Sequence, residues 1–250
     1  MTGLTVAVLG LGEAGSRFAA DLTDAGVEVR GYDPTGSGTA NAETAVAGSD
    51  VVLSMNTAKT ALAAAEAALP ALSSAAIYAD LNTGPPQLKQ EVAELVAGTG
   101  ARFADVALLG AVPARGLGTP ALASGAGADA FADAFRPLGM PVEVVSDRAG
   151  DAATMKLLRS VFMKGLAAAA IESLQAAGAA GHADWLEDEI AAVVGRPMLE
   201  RLLEGSRAHA ARRVDELEAA RGLLLGLGVE PRVASASASL LAELATTEGR

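Results

Sequence analysis

"VAVLGLGEAGSRFAADL", residues 6–22, passes from an apolar run to a helical pattern through Gly10, Gly12 and Gly15. A short apolar run followed by 3.6-residue periodicity predicts a buried strand feeding a helix. At such a junction the G-x-G-x-x-G spacing has a physical meaning for each glycine. Gly10 permits a tight turn, Gly12 keeps the backbone bare for a pyrophosphate, and Gly15 lets the helix pack close on the strand. Leu11, Glu13 and Ala14 complete the loop, and the amides at the helix start, with the positive end of its dipole, face the phosphates. In a chain with 28 glycines the spacing alone is weak, so its context carries the weight. That context includes a second strand ending in Asp33, eighteen residues after Gly15. Its carboxylate accepts hydrogen bonds from an adenosine ribose and repels a 2′-phosphate. "DPTGSG" after it brings no Arg or Lys, so NAD is expected rather than NADP.

Outward from this motif the pattern repeats. Strands are expected at 4–10, 27–33, 50–56 and 76–82, then at "RFADVAL", "PALASG" and "VEVVS", with helices between them. Strand–helix alternation with short connections predicts a mostly parallel sheet covered by helices, a Rossmann-type domain over residues 1–148. Asn56 and Thr57 after the third strand, and Asn82 and Thr83 after the fourth, fall at carboxyl ends of strands, where such sheets bind ligands. From residue 149 to 250 only helical periodicity remains, predicting an all-α domain with helices at 151–178, 183–194, 196–204, 206–226 and 232–245.

Composition narrows the function. Hydrophobic residues make up 51% and aromatics 3%, so the core is built of Ala, Val and Leu. A net charge of -11 argues against nucleic-acid binding. There is no cysteine and there are two histidines, His182 and His209, far apart in sequence; no metal site is expected. No apolar run approaches the ~20 residues of a membrane span. The N-terminus lacks a basic region and enters a strand, so a cytoplasmic protein without a signal peptide is expected.

"GDAATMKLLRSVFMKG", residues 150–165, sets Lys156, Arg159, Ser160 and Lys164 on one side of a helix and Leu158, Val161, Phe162 and Gly165 on the other. The polar arc is wholly cationic in an acidic protein, with no acid spaced to pair along the helix. Two readings stand: a solvated face, or a site for an anion. A second basic cluster, Arg207, His209, Arg212 and Arg213, has acids beside it and is expected to be a surface helix, with His209 retained as a substrate-site candidate.

"GLGEAG", "DLNTGPP", "FADVALLGAVPARGLGTPALASG" and "GDAATMKLLRSVFMKG", in this order, resemble the β-hydroxyacid dehydrogenases of the 6-phosphogluconate and 3-hydroxyisobutyrate dehydrogenase superfamily, in the branch with a short helical C-terminal domain. The resemblance implies that Lys156 is the catalytic acid/base, with Ser160 where most relatives have Asn. It implies hydride transfer between nicotinamide and a small anionic substrate, a hydroxy acid or its keto form. In the family's substrate-binding motif the Asp is kept as Asp105 and the Gly-Thr as Gly118-Thr119. Its Ser-Gly-Gly is replaced by Leu109, Gly110 and Ala111, which removes a hydroxyl contact and leaves backbone amides. Arg159 and Lys164 join the expected substrate-binding residues. Relatives dimerise through the helical domain, and a helical domain of about 100 residues buries little core alone, so a homodimer is expected. Imine reduction and non-catalytic dinucleotide sensing are the alternatives. Relatives reducing C=N bonds replace the Lys, and a sensor would not need it, so Lys156 favours the dehydrogenase.

Overall fold

A computed structural model describes residues 3–247. Seven strands form one sheet: β1 (Thr5–Leu9), β2 (Glu28–Tyr32), β3 (Val51–Ser54), β4 (Ile77–Asp80), β5 (Arg102–Leu108), β6 (Ala121–Ser124) and β7 (Val142–Ser146). Their order is β2-β1-β3-β4-β5-β6-β7, parallel throughout except for the antiparallel β5–β6 pair. The strand order reverses direction at β1, which makes the carboxyl ends of β1 and β3 the topological switch point of the sheet.

Side-chain parity explains both covered faces. Val6, Val8, Val51 and Leu53 point to one side, where Phe18 and Leu22 of α1 (Glu13–Asp24) and Phe131 and Phe135 of a helix at Ala128–Phe135 complete an apolar layer. Ala7, Leu9, Val52 and Tyr78 point to the other, under α2 (Ala42–Val46), α3 (Ala61–Ala68) and α4 (Pro86–Ala97). Central strands buried on both faces are nearly continuous apolar runs, which is why they stand out in the sequence. Less visible are three short helices, α2, α5 (Val112–Arg115) and α6 (Ala128–Phe135), too brief to establish a period.

After β7 the described residues contain only helices: α7 (Asp151–Ala179), α8 (Ala183–Val194), α9 (Arg196–Ala208), α10 (Ala210–Gly226) and α11 (Arg232–Thr247). The division into an α/β part and an all-α part is as expected from the sequence. Two compact units divide within α7, one running to Lys156 and the other starting at Leu157. The break expected at Gly205 instead falls at His209, because Gly205 lies inside α9, where its missing side chain leaves room for the guanidinium of Arg213. In the second unit Leu217, Ala234, Ala238 and Leu241 form the buried core of α10 and α11. Gly165 lets α7 approach Val233 of α11, since a Cβ there would lie 2.8 Å from a Val233 methyl. Among the described residues no helix is long and apolar enough to cross a membrane.

Candidate functional site

Gly10 leaves β1 with φ 100°, a conformation that favours glycine. A Cβ there would lie 2.5 Å from the Met55 carbonyl oxygen and 2.7 Å from Asn56 Oδ1, so the loop after β3 closes against it. Gly15, buried in α1, would drive a Cβ into the carbonyl oxygen of Gly10. Gly12 differs from both: its φ is −65°, and a Cβ would meet nothing within 4 Å. Two glycines are thus required by packing and the third by nothing in the chain itself. The helix has no side-chain cap, and its first bond runs from the Ser16 amide to the Gly12 carbonyl, 2.9 Å. The Glu13, Ala14 and Gly15 amides therefore have no intrahelical acceptor. An uncapped helix start behind an open glycine fits the pyrophosphate of a dinucleotide.

Asp33 closes the same loop. One carboxylate oxygen accepts the Leu11 amide at 2.8 Å; the other accepts the Thr35 hydroxyl at 2.6 Å and the Thr35 amide at 2.9 Å. The Thr35 hydroxyl, then the Thr35 and Leu11 amides, hold its pKa below the usual carboxylate value despite some burial. Asp33 is therefore held in its charged form at neutral pH, one residue past the end of β2.

The loops after β3 and β4 are tied together. Asn82, buried, accepts the Asn56 amide on Oδ1 and donates to Ser54 Oγ at 2.9 Å, while its own amide donates to Asp80 Oδ1 at 2.9 Å. Asn82 therefore shapes the loop edge rather than projecting from it. Thr57 is exposed and bonds Thr60, 3.0 Å between hydroxyls. Thr83, next in the chain, accepts Lys156 Nζ at 2.8 Å. This contact joins two of the sequence motifs, "DLNTGPP" and the start of α7.

The start of α7 is built into the sheet. Asp105, fully buried on β5, accepts the Ala153 amide at 2.9 Å, and Ser124 on β6 accepts the Ala152 amide at 3.0 Å. Gly150, at φ 95°, lets the chain pass so close to Pro86 that a Cβ would lie 2.9 Å from the Pro86 carbonyl oxygen. Sequence reasoning overlooked Lys89. Its ammonium, 1% exposed, lies 3.2 Å from Asp80 Oδ1 and 3.4 Å from Asp105 Oδ1, and donates to the carbonyls of Asp80 and Asn82 at 3.0 and 2.7 Å. One signal was available: Lys89 shares the buried stripe of α4 with Val92 and Val96, at i, i+3 and i+7.

Of the other expected substrate residues, Leu109 is half-buried with its amide bonded to the Pro120 carbonyl at 2.8 Å, and Gly110 and Ala111 are exposed. On α7 the expected split into a polar and an apolar side is only partly kept: Val161 packs on the α10–α11 core and Gly165 faces Val233, but other positions depart from it. Ser160 and Lys164 are each 7% exposed, whereas Leu158 is 42% and Phe162 68% exposed, and Arg159 is exposed too. Of the two readings the sequence leaves open, a solvated face fails for Lys164, which is buried and paired with a carboxylate of this chain. Lys164 is paired across to α10, its Nζ 2.6 Å from Glu216 Oε2, and beside them Arg213 donates to Ser206 Oγ at 2.6 Å. Burial pulls the Lys164 pKa below its ordinary value, against the opposing pull of Glu216. His209 is exposed between α9 and α10.

Residues 5–140 match the family model "NAD binding domain of 6-phosphogluconate dehydrogenase", and residues 177–244 match a domain of unknown function, DUF1932. An uncharacterized 28.5 kDa protein in the 7S RNA 5′ region of Methanothermus fervidus is 27% identical over 158 residues; the alignment spans 62% of this chain and 61% of that protein. Among solved structures, the conserved protein MTH1747, of unknown function and described as structurally similar to 3-hydroxyacid dehydrogenases, is 27% identical. It covers 96% of each chain at TM-score 0.78. The 3-hydroxyisobutyrate dehydrogenase of Mycobacterium tuberculosis, solved with L-serine, shares the fold at TM-score 0.83 with 22% identity, over 97% of this chain and 94% of that one. Imine reductases and NADPH-bound reductive aminases share the fold as well, at TM-scores of 0.61 and 0.64.

Proposed function

The chain belongs to the family of the NAD-binding domain of 6-phosphogluconate dehydrogenase, and from that premise we propose that it is an NAD-dependent oxidoreductase acting on a small hydroxy acid or its keto form. One observation carries the reading: Lys156 Nζ stands 2.8 Å from Thr83 Oγ1, just past the carboxyl end of β4, the edge of the sheet that also bears the glycine loop.

Gly10, Leu11, Gly12, Glu13, Ala14 and Gly15 would hold the pyrophosphate, Asp33 the adenosine ribose, and the Asn56–Thr57 and Asn82 loops the remainder. When bound, the nicotinamide accepts or supplies the hydride. The chain's own task is the proton. In the oxidising direction a neutral Lys156 amine takes the substrate's hydroxyl proton, and in the reducing direction the ammonium returns it. Thr83 accepts from that nitrogen and fixes its aim until substrate takes its place. Ser160, one helical turn beyond Lys156, offers a hydroxyl to the reacting oxygen. For the substrate's anionic group the candidates are the loop of Leu109, Gly110 and Ala111 in the first unit and, on α7 in the second, Arg159, whose charge is exposed. Lys164, its charge already neutralised by Glu216, is a weaker candidate, and His209, exposed between α9 and α10, is a further one.

The charged Asp33 supports NAD over NADP, because a 2′-phosphate placed against it would be repelled. A homodimer through the helical unit is part of the proposal: α8 buries no residue, and Trp185 and Val193 stand 65% and 85% exposed.

The test is NADH absorbance with purified protein over a panel of short 2- and 3-hydroxycarboxylates, repeated with NADP and with imine substrates. Turnover of a hydroxycarboxylate with NAD is expected. NAD binding without turnover on any of them would leave a nucleotide holder, and faster reduction of C=N substrates would make it an imine reductase.

A further inference from the structure

We infer that Lys89 is a positioning residue for Lys156, acting through Asp105; this rests on the dehydrogenase reading above. The contact between Lys156 and Thr83 has two sides, and each is tethered to the same buried ammonium. On one side Lys89 donates to the carbonyls of Asp80 and Asn82 and pairs with Asp80, whose carboxylate receives the Asn82 amide. That fixes the backbone immediately before Thr83. On the other side Lys89 pairs with Asp105, and Asp105 receives the Ala153 amide, in the first turn of α7, three residues before Lys156. Ser124 links the same parts a second time, donating to Asp105 at 3.3 Å while accepting the Ala152 amide.

The arrangement is hard to account for as mere stability. A cation and two carboxylates withdrawn wholly from water carry a large desolvation cost, and well-packed hydrophobic residues often do as well or better. What a buried ion network supplies instead is position: Lys89 holds one segment by hydrogen bonds to the carbonyls of Asp80 and Asn82 and the other by its charge, the Asp105 carboxylate lying 3.4 Å away, where apolar contacts would let the segments slide. Here the segments are the two that meet at the amine. Gly150 adds to this, since its missing side chain seats the start of α7 against Pro86 at the start of α4, the helix that carries Lys89.

Two variants test it. Lys89→Met removes the ammonium at similar length. Asp105→Asn keeps the shape and leaves Lys89 its Asp80 partner, so it remains informative if the first does not fold. Val92→Ala, fully buried on the same helix, is the control for loss of packing. Amide hydrogen exchange is read by mass spectrometry over peptides covering residues 80–84 and 150–156, along with kcat, KM and NAD affinity. Exchange in those two segments is expected to quicken by about tenfold or more in both variants and not in Val92→Ala at matched melting temperature. With a turned-over substrate, kcat is expected to fall by up to about a hundredfold while NAD affinity holds, as a misplacement near 1 Å would produce. Exchange and kcat matching those of Val92→Ala would overturn the inference. Should no substrate be turned over by the wild type, the dehydrogenase reading fails while the exchange pattern still decides whether Lys89 holds these two segments.

Discussion

Replacing Gly12 and Gly15 separately by alanine divides the fold from the cofactor. At Gly12 the backbone is extended, with φ −65° and ψ −168°, and a new methyl meets nothing within 4 Å. Alanine loses roughly 0.4–1 kcal/mol less chain entropy on folding than glycine. It is also a poorer N-cap, by an amount of about the same size. Gly12→Ala should therefore melt within about 1 kcal/mol of wild type. The methyl instead stands where the pyrophosphate must approach. Losing one hydrogen bond to a charged group costs about 1.5–3 kcal/mol, which is about a ten- to hundredfold weaker Kd for NAD. Gly15→Ala reverses the outcome. Its methyl meets the Gly10 carbonyl oxygen, and Gly10 cannot retreat, being bonded to the Tyr32 carbonyl at 2.8 Å and closed in by Met55. Overpacking of this severity costs about 3 kcal/mol, of which better helix propensity returns about 1. In a chain of this size the net loss lowers Tm by roughly 4–8 °C. Calorimetric NAD titration and thermal melts of both variants measure these effects. Wild-type NAD affinity in Gly12→Ala, or a wild-type melt for Gly15→Ala, would refute the reasoning.

Two further perturbations follow from the charges. Asp33 has a folded pKa below its ordinary value, so the stability and ribose contact it provides are present above the unfolded value of about 4 and are lost as pH falls through the folded one. NAD affinity, measured by titration across pH, should hold steady down to about 4, and Thr35→Val, which removes the largest cause of the shift, should move the loss to higher pH. Glu216→Gln leaves the buried Lys164 ammonium without its carboxylate and should cost about 3 kcal/mol in denaturant unfolding at neutral pH. Because Lys164 then sheds its proton earlier in the folded state, the unfolded chain binds more protons at alkaline pH. The deficit should therefore narrow as pH rises toward about 10.

The parts legible in sequence are those where one residue type answers one local constraint. Gly10 and Gly15 are demanded by turns and close backbone, and the double-sided burial of β1, β3 and β4 leaves apolar runs that need no partner to be recognised. Lys156 stands out as a cation after a glycine turn in a mostly apolar helix, while the role proposed for it comes from the resemblance of "GDAATMKLLRSVFMKG" to the dehydrogenase motif. What stayed hidden depends on which face of a helix is covered, and that is set by distant chain. From sequence alone Lys164 reads as a solvated charge or as an anion's partner until α10 brings Glu216 to it, and Phe162 looks like core although it is 68% exposed. Lys89 escaped notice for the same reason, since the carboxylates that justify a buried ammonium come from β4 and β5.

Lys156→Met puts the greatest strain on the account with the fewest assumptions. NAD affinity and turnover of whichever hydroxycarboxylate the wild type accepts are measured side by side. Turnover should fall by at least about a hundredfold, the contribution of a positioned acid or base, with NAD bound as tightly as before. Undiminished turnover in the variant would mean that the proton leaves by another route, and that the contact with Thr83 has no part in the chemistry.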